Sequence, residues 1–287
     1  MSTVGPPAAG AGPARPFDRG ALGLAGLVFA LALCVALPAI FGLRFLFERI
    51  EFYAHGFLVP LVAGYLAWGK RREIRQALLR LEPPRFGALV ALAAGSFELF
   101  MIVGDVGFLA GIGIPLVIGS AAYAVGGRRL VRPLALPLAF LALMVPPPRF
   151  VLYEILFRLK LLVTRTAVEL LQAVGTPVLA EGNQIVVPNH TLFVADACSG
   201  LTSIVTMLPI ACTIAYFLTR GIWRRSVVVA SVLPLALGAN VLRVILTVKL
   251  VPWMGIEAAQ GSLHQSFGLA TYAVGTLALV GVARLLR

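Results

Sequence analysis

Apolar residues fall into long blocks divided by short polar segments, at about Ala21 to Leu43, Phe52 to Trp68, Phe86 to Val103, Val106 to Val125 and Leu130 to Val145. Three more follow at about Leu201 to Leu218, Val227 to Val248 and Ser266 to Leu285. A hydrocarbon core of about 30 Å takes roughly 20 apolar residues of helix to cross. The pattern therefore predicts a polytopic all-α bundle of about eight transmembrane helices, the fifth of them short and bounded by proline. Residues 1–20 are rich in Pro, Gly and Ala and have no periodicity, which predicts a disordered cytoplasmic tail before a single integral-membrane domain, 21–287. No internal repeat is evident.

Two stretches do not fit the simple pattern. Phe150 to Val174 is long enough to cross but carries Glu154, Arg158, Lys160, Arg165 and Glu169. At helical spacing Glu154, Arg158, Arg165, Glu169 and Gln172 form one stripe opposite Leu152, Ile155, Leu156, Leu159, Leu162 and Val163. This predicts an interfacial amphipathic helix lying flat at the outer surface. The polar segment after it reads IVV, PNHT, LFV, two β-branched runs around Pro188 and Asn189. They predict a short outer-face β-hairpin that leads into Asp196, Ala197, Cys198, Ser199 and Gly200.

Basic residues decide the orientation, because cytoplasmic loops retain Lys and Arg. Lys70, Arg71, Arg72, Arg75, Arg80 and Arg85 separate spans two and three. Arg128, Arg129 and Arg132 separate four and five, and Arg220, Arg224 and Arg225 separate six and seven. Those loops and both termini belong on the cytoplasmic side, and everything else faces outward.

Composition agrees with lipid as the main solvent: 60% of the 287 residues are hydrophobic and 13% charged, too little polar cover for a soluble domain. Repeated spans exclude one signal peptide followed by a soluble body. A net charge of +12 could suggest nucleic acid, but its cations sit in clusters between spans and form no binding face, so no nucleic-acid partner is expected. Cys34, Cys198 and Cys212 lack metal-ligand spacing, and no metal or other cofactor is expected. Cys34 and Cys212, deep in apolar runs, read as small core residues.

Cys198 stands apart. In DACSGL it meets the start of span six, where unpaired backbone amides and the helix dipole favour a thiolate. Arg243 lies roughly 26 Å along span seven, near the outer boundary and at the height of Cys198. An ionisable residue inside a span points to function, with snorkelling as the plain alternative. Asn240 precedes it on the same helix face. His264 opens span eight in GSLHQSFG and could move protons near neutral pH. His55 in YAHGF and His190 in the hairpin turn also lie outside, without ligand spacing for a metal. Cys, Arg and His at one depth on three consecutive spans suggest acyl transfer, with thiolate attack, proton delivery to a leaving amine, and Arg243 on the oxyanion.

GNQIVVP, VADACSGLTS, NVLRV and a histidine opening the last span resemble the exosortase/archaeosortase family, as do YAHGFLVP and the VPPP segment earlier in the chain. The resemblance implies a multispan cysteine transpeptidase of the bacterial cytoplasmic (inner) membrane, its active site on the outer, periplasmic face. Such an enzyme processes exported proteins that end in a sorting signal: a short motif such as Pro-Glu-Pro, a hydrophobic helix and a basic tail. It passes them to a lipid or other cell-envelope acceptor. By resemblance Cys198 is the nucleophile, Arg243 the transition-state stabiliser and His264 the acid/base, with Asn240, Asp196, Ser199 and His55 in supporting or substrate-binding places. A multispan transporter, or a lipid or glycan transferase without a covalent cysteine intermediate, would share the hydropathy.

Overall fold

Leu31, Phe41, Leu61, Leu92, Phe100, Leu269 and Leu277 all stand on the outside of their helices, more than half exposed, as lipid-facing residues do. The computed structural model describes residues 19–49, 56–188, 190–194, 200–255 and 262–287. Its helices are α1 (Arg19–Arg49), α2 (Leu58–Gly69), α3 (Arg71–Leu78), α4 (Gly87–Val103) and α5 (Gly107–Leu141). They continue with α6 (Arg149–Ala173), α7 (Leu201–Leu218), α8 (Ile222–Ala230), α9 (Val232–Met254) and α10 (Ser262–Leu285). Among the described residues, five helical segments are long and apolar enough to cross a membrane: Gly23–Phe45, Gly107–Met144, Leu201–Leu218, Ile222–Met254 and Ser266–Leu285. The protein is thus a polytopic helical membrane protein. The helices α2 and α4 are apolar but shorter. Of the predicted tail, residues 1–18 lie outside the described residues, and Arg19 and Gly20 already belong to α1.

The longest helical segment reverses on itself. At Gly127 the backbone takes φ 59°, ψ −154°, a conformation that glycine tolerates and L side chains rarely adopt. A Cβ there would also lie 2.9 Å from the Glu82 carbonyl oxygen. The arms on either side run back along each other: a Cβ on Gly111 would meet Val145 Cγ1 at 2.7 Å, and one on Gly119 would meet Leu138 Cδ1 at 3.2 Å. The stretches predicted as spans four and five are the two arms of this turn.

The first arm packs most closely on α4, where the Glu98 side chain is fully buried. Its carboxyl has no hydrogen-bond partner among the described residues and lies against the Cα of Gly113, in the space a side chain there would fill. Gly113→Ala therefore forces Glu98 aside in a seam with no slack, an overpacking defect of about 1–3 kcal/mol. The expected result is a lower thermal midpoint in detergent, partly restored in the double variant Gly113→Ala/Glu98→Ala. An unchanged midpoint for Gly113→Ala would show that the seam opens freely.

The basic loops gather at one end of the bundle. Arg129 pairs with Glu82 across two loops, and Arg224 donates to the carbonyl of Arg287 at 3.1 Å, joining the start of α8 to the chain end. The segment after α2, read as a plain basic loop, is in part the short helix α3. Span seven differs from the pattern as well. Helical backbone runs from Ile222 through Ser231 to Met254, past the predicted end at Val248, so Lys249 lies inside α9. The Lys249 ammonium donates to Thr176 Oγ1 at 2.6 Å.

At the other end, α6 packs one face against α9. Its residues Val163, Ala167, Val168 and Leu171 are buried against Val244, Val248 and Val251 of α9. The predicted polar stripe, Glu154, Arg158, Arg165, Glu169 and Gln172, is exposed, with Arg158 donating to Glu154 at 2.6 Å. The same core includes a three-stranded antiparallel sheet of β1 (Leu179–Glu181), β2 (Gln184–Val187) and β3 (His190–Phe193), in the order β1-β2-β3. Register pairs Val187 with His190 and Glu181 with Gln184. The pattern had two arms here; the extra strand turns through Gly182, at φ 62°. Gly-Asn at positions 182 and 183 is a hairpin signal the run-length reading passed over.

Candidate active site

Three helix segments converge at the end of the bundle away from the basic loops. The first is the start of α7, whose N-cap is Gly200 at φ 83°, a left-handed conformation suited to glycine. The helix begins at Leu201, where the pattern placed the start of span six. Cys198, Asp196 and Ser199 lie outside the described residues, and so does His55.

The second segment is the middle of α9, where Asn240 is 3% and Arg243 9% exposed. Burial of an arginine to this degree contradicts simple snorkelling, which would leave the guanidinium in water. A Cβ on Gly200 would lie 3.8 Å from Asn240 Cβ and Nδ2, and 3.2 Å from Leu237 Cδ2. The chain directly after Cys198 thus presses on the face of α9 that carries Asn240.

The third is the start of α10, with His264 in its first turn. Gly268 lies one turn further along, on the same helix face as His264. A Cβ on Gly268 would come within 2.9 Å of Arg243 Cζ and Nη2 and 3.1 Å of Nη1, so the guanidinium occupies the space left by that missing side chain. Thr271, one turn beyond, directs its hydroxyl to the Phe267 carbonyl at 2.7 Å, and Thr247 donates to the Arg243 carbonyl at 2.9 Å. Gly200, Asn240, Arg243 and Gly268 therefore form one chain of close contacts linking α7, α9 and α10. Both α7 and α10 begin near this point, and α7 takes roughly 27 Å to reach the basic end.

Residues 47–281 match the family model described as transmembrane exosortase (Exosortase_EpsH), a stretch that contains every residue of this cluster. The chain belongs to the transmembrane exosortase family. No curated protein and no solved structure matches it.

In this exosortase the remaining histidine and cysteines are set apart from the cluster. His190 is exposed at the start of β3, beside a cleft bordered by Val248, Val251 and Pro252, more than a turn along α9 from Arg243. Cys34 is exposed on α1, facing outward and not into a core as the pattern suggested. Cys212 packs partly buried against the core of the first half, about 16 Å of helix from the start of α7.

Sequence reasoning passed over two glycines of this cluster and one buried hydroxyl near the start of α7. Gly200 and Gly268 admit their neighbours because they lack a side chain. Glycine directly before one span and early in another was the available signal. Thr202, in the first turn of α7, has a buried hydroxyl with no hydrogen-bond partner among the described residues. The SGLTS run placed it there, but burial is invisible in a run of small polar residues.

Proposed function

We propose that this exosortase is a cysteine transpeptidase acting on exported proteins that carry a C-terminal sorting signal. The observation that supports it most is the contact chain from Gly200 through Asn240 and Arg243 to Gly268. It draws together the chain neighbours of Cys198 and His264 around a buried arginine. A cluster where α7 and α10 begin, and not half way along them, favours this reading over a carrier with a mid-membrane site.

In the proposed reaction the Cys198 thiolate adds to the scissile carbonyl carbon, and Arg243 holds the oxyanion. The C–N bond then breaks as His264 gives a proton to the departing amine, which leaves with the substrate's apolar helix and basic tail. An amine or hydroxyl of the envelope acceptor, its proton taken by His264, attacks the thioester, and the C–S bond breaks. Asn240 and the Thr202 hydroxyl serve as hydrogen-bond partners for the substrate backbone; Asp196, Ser199 and His55 support the site or bind substrate.

The reading counts eight crossings: α1, α2, α4, the two arms of α5, α7, α8 with α9, and α10. It puts both termini and the basic loops in the cytoplasm and the cluster on the periplasmic face of the inner membrane. The test is made in whole cells. Reporter fusions after Arg72, Arg129 and Arg225 should all report cytoplasm, and a membrane-impermeant maleimide should label Cys198 but neither Cys34 nor Cys212. Co-expression with an exported protein ending in a short motif, apolar helix and basic tail should yield its shortened form. A periplasmic signal from the Arg225 fusion, or an unprocessed substrate beside correctly inserted enzyme, would overturn the reading.

A further inference from the structure

The basic loops do more than mark one side. Three of them, far apart in sequence, enclose a single cleft of about 1120 Å³ that is distant from the cluster around Arg243. Lys70 and Arg80 come from the segment after α2, Arg129 and Arg132 from the turn within α5, and Arg225 from α8. One carboxylate, Glu73, faces these five cations in the lining, and Lys70 holds it at 2.7 Å. That hydrogen bond raises the Lys70 pKa, so its ammonium stays charged. Arg129 is engaged by Glu82. Arg80, Arg132 and Arg225 have no carboxylate partner among the described residues. Arg225 is held in place all the same, stacked over the Tyr216 ring at 5.2 Å and donating to the Tyr216 and Thr219 carbonyls at 3.4 Å.

Beside these charged groups the lining holds Gln76 and Tyr216 and the apolar side chains of Ala77, Leu79, Pro133 and Leu136. Its level is that of the membrane surface, because α2 and α7 both end beside it. Trp68 at the end of α2 and Trp223 at the start of α8, 67% and 78% exposed, mark the interface where indoles settle. Guanidinium forks match phosphate oxygens, and an apolar floor next to them matches the upper part of an acyl chain.

We propose that this cleft is a binding site for the headgroup of an anionic phospholipid, with Arg80, Arg132 and Arg225 on the phosphate and the wall at Leu136 against the acyl chain. A free phosphate would satisfy the arginines but leave the apolar floor bare. An acidic peptide would satisfy the charge but has no reason to seek a cleft level with the lipid surface. The site is independent of the chemistry proposed for Cys198.

The experiment is native mass spectrometry of the full chain released from neutral detergent, titrated separately with phosphatidylglycerol, phosphatidylcholine, inorganic phosphate and a soluble oligoglutamate peptide. One phosphatidylglycerol is expected to remain bound at concentrations where phosphatidylcholine does not. The variant Arg80→Gln/Arg132→Gln is expected to weaken that first binding roughly thirtyfold, each basic residue beside an anionic headgroup being worth about fivefold. Both side chains are exposed, so the fold is expected to persist, and Arg80→Gln alone gives a second reading of about fivefold. Equal retention of the two lipids, or equal phosphatidylglycerol binding by wild type and double variant, overturns the proposal. Retention of phosphate or peptide that is lost in the double variant, without preference for phosphatidylglycerol, overturns it in favour of that ligand.

Discussion

Cys198→Ala is expected to abolish conversion of a co-expressed sorting-signal protein to its shortened form, while the variant enters the membrane at normal abundance. The reaction path itself disappears with the nucleophile, since the other groups in the proposed site can stabilise an oxyanion or move a proton but cannot form a thioester. Abundance is expected to hold because Cys198 precedes the first residue of α7, and the helix start is set by Gly200. Mass spectrometry supplies the direct reading: wild-type enzyme isolated with its substrate carries a hydroxylamine-sensitive adduct on the peptide containing Cys198. In His264→Ala the adduct is expected to accumulate if transfer to the acceptor waits on that base. Processing that persists in Cys198→Ala would remove the transpeptidase reading altogether.

Arg243→Lys is expected to lower processing at least about tenfold without loss of protein. A lysine keeps the charge but lacks the planar fork, and losing a donor to a developing oxyanion costs roughly 2.7 to 4 kcal/mol in comparable sites. Gly268→Ala tests the same arginine from the opposite helix. Its methyl carbon would come within 2.9 Å of the Arg243 guanidinium, so the fork must shift away from its place. A similar drop in processing is expected, carried by the catalytic rate and not by abundance. Near-normal rates in both variants would reduce Arg243 to a packed interfacial anchor.

The two substitutions also show where sequence information ends. Arg243 was legible because a charge within an apolar run is costly wherever the helix packs, so its presence alone raises the question of function. Gly268 was not, because glycine is common in membrane helices and only the position of α9 gives this one a role. His264 and Asn240 were legible as positions on helix faces, through spacing alone. The contact that joins their helices was not.

The polytopic helical membrane class could be read from sequence for a physical reason: lipid is a uniform solvent, so the preference of a segment for it depends on that segment's own composition. The same holds for the basic loops, whose charge acts locally on insertion. The amphipathic character of α6 was equally local, since its stripe follows from helical periodicity. Its partners were not: Val163, Ala167, Val168 and Leu171 meet α9 and the sheet, Leu152 and Leu156 meet the core of the first half, and Ile155 and Leu162 stay exposed. Helix packing in a membrane is decided by small residues, close backbone approach and van der Waals fit between distant segments. The turn at Gly127, the contact of Gly268 with Arg243, the fit of Glu98 against Gly113 and the meeting of three basic loops around one cleft are all of this kind. Sequence by itself determined that the chain is a polytopic helical membrane protein, which segments carry charge and which residues are candidates for chemistry. Tertiary structure alone decided which of them meet, because that depends on side-chain volumes facing one another across helices that the chain order does not pair.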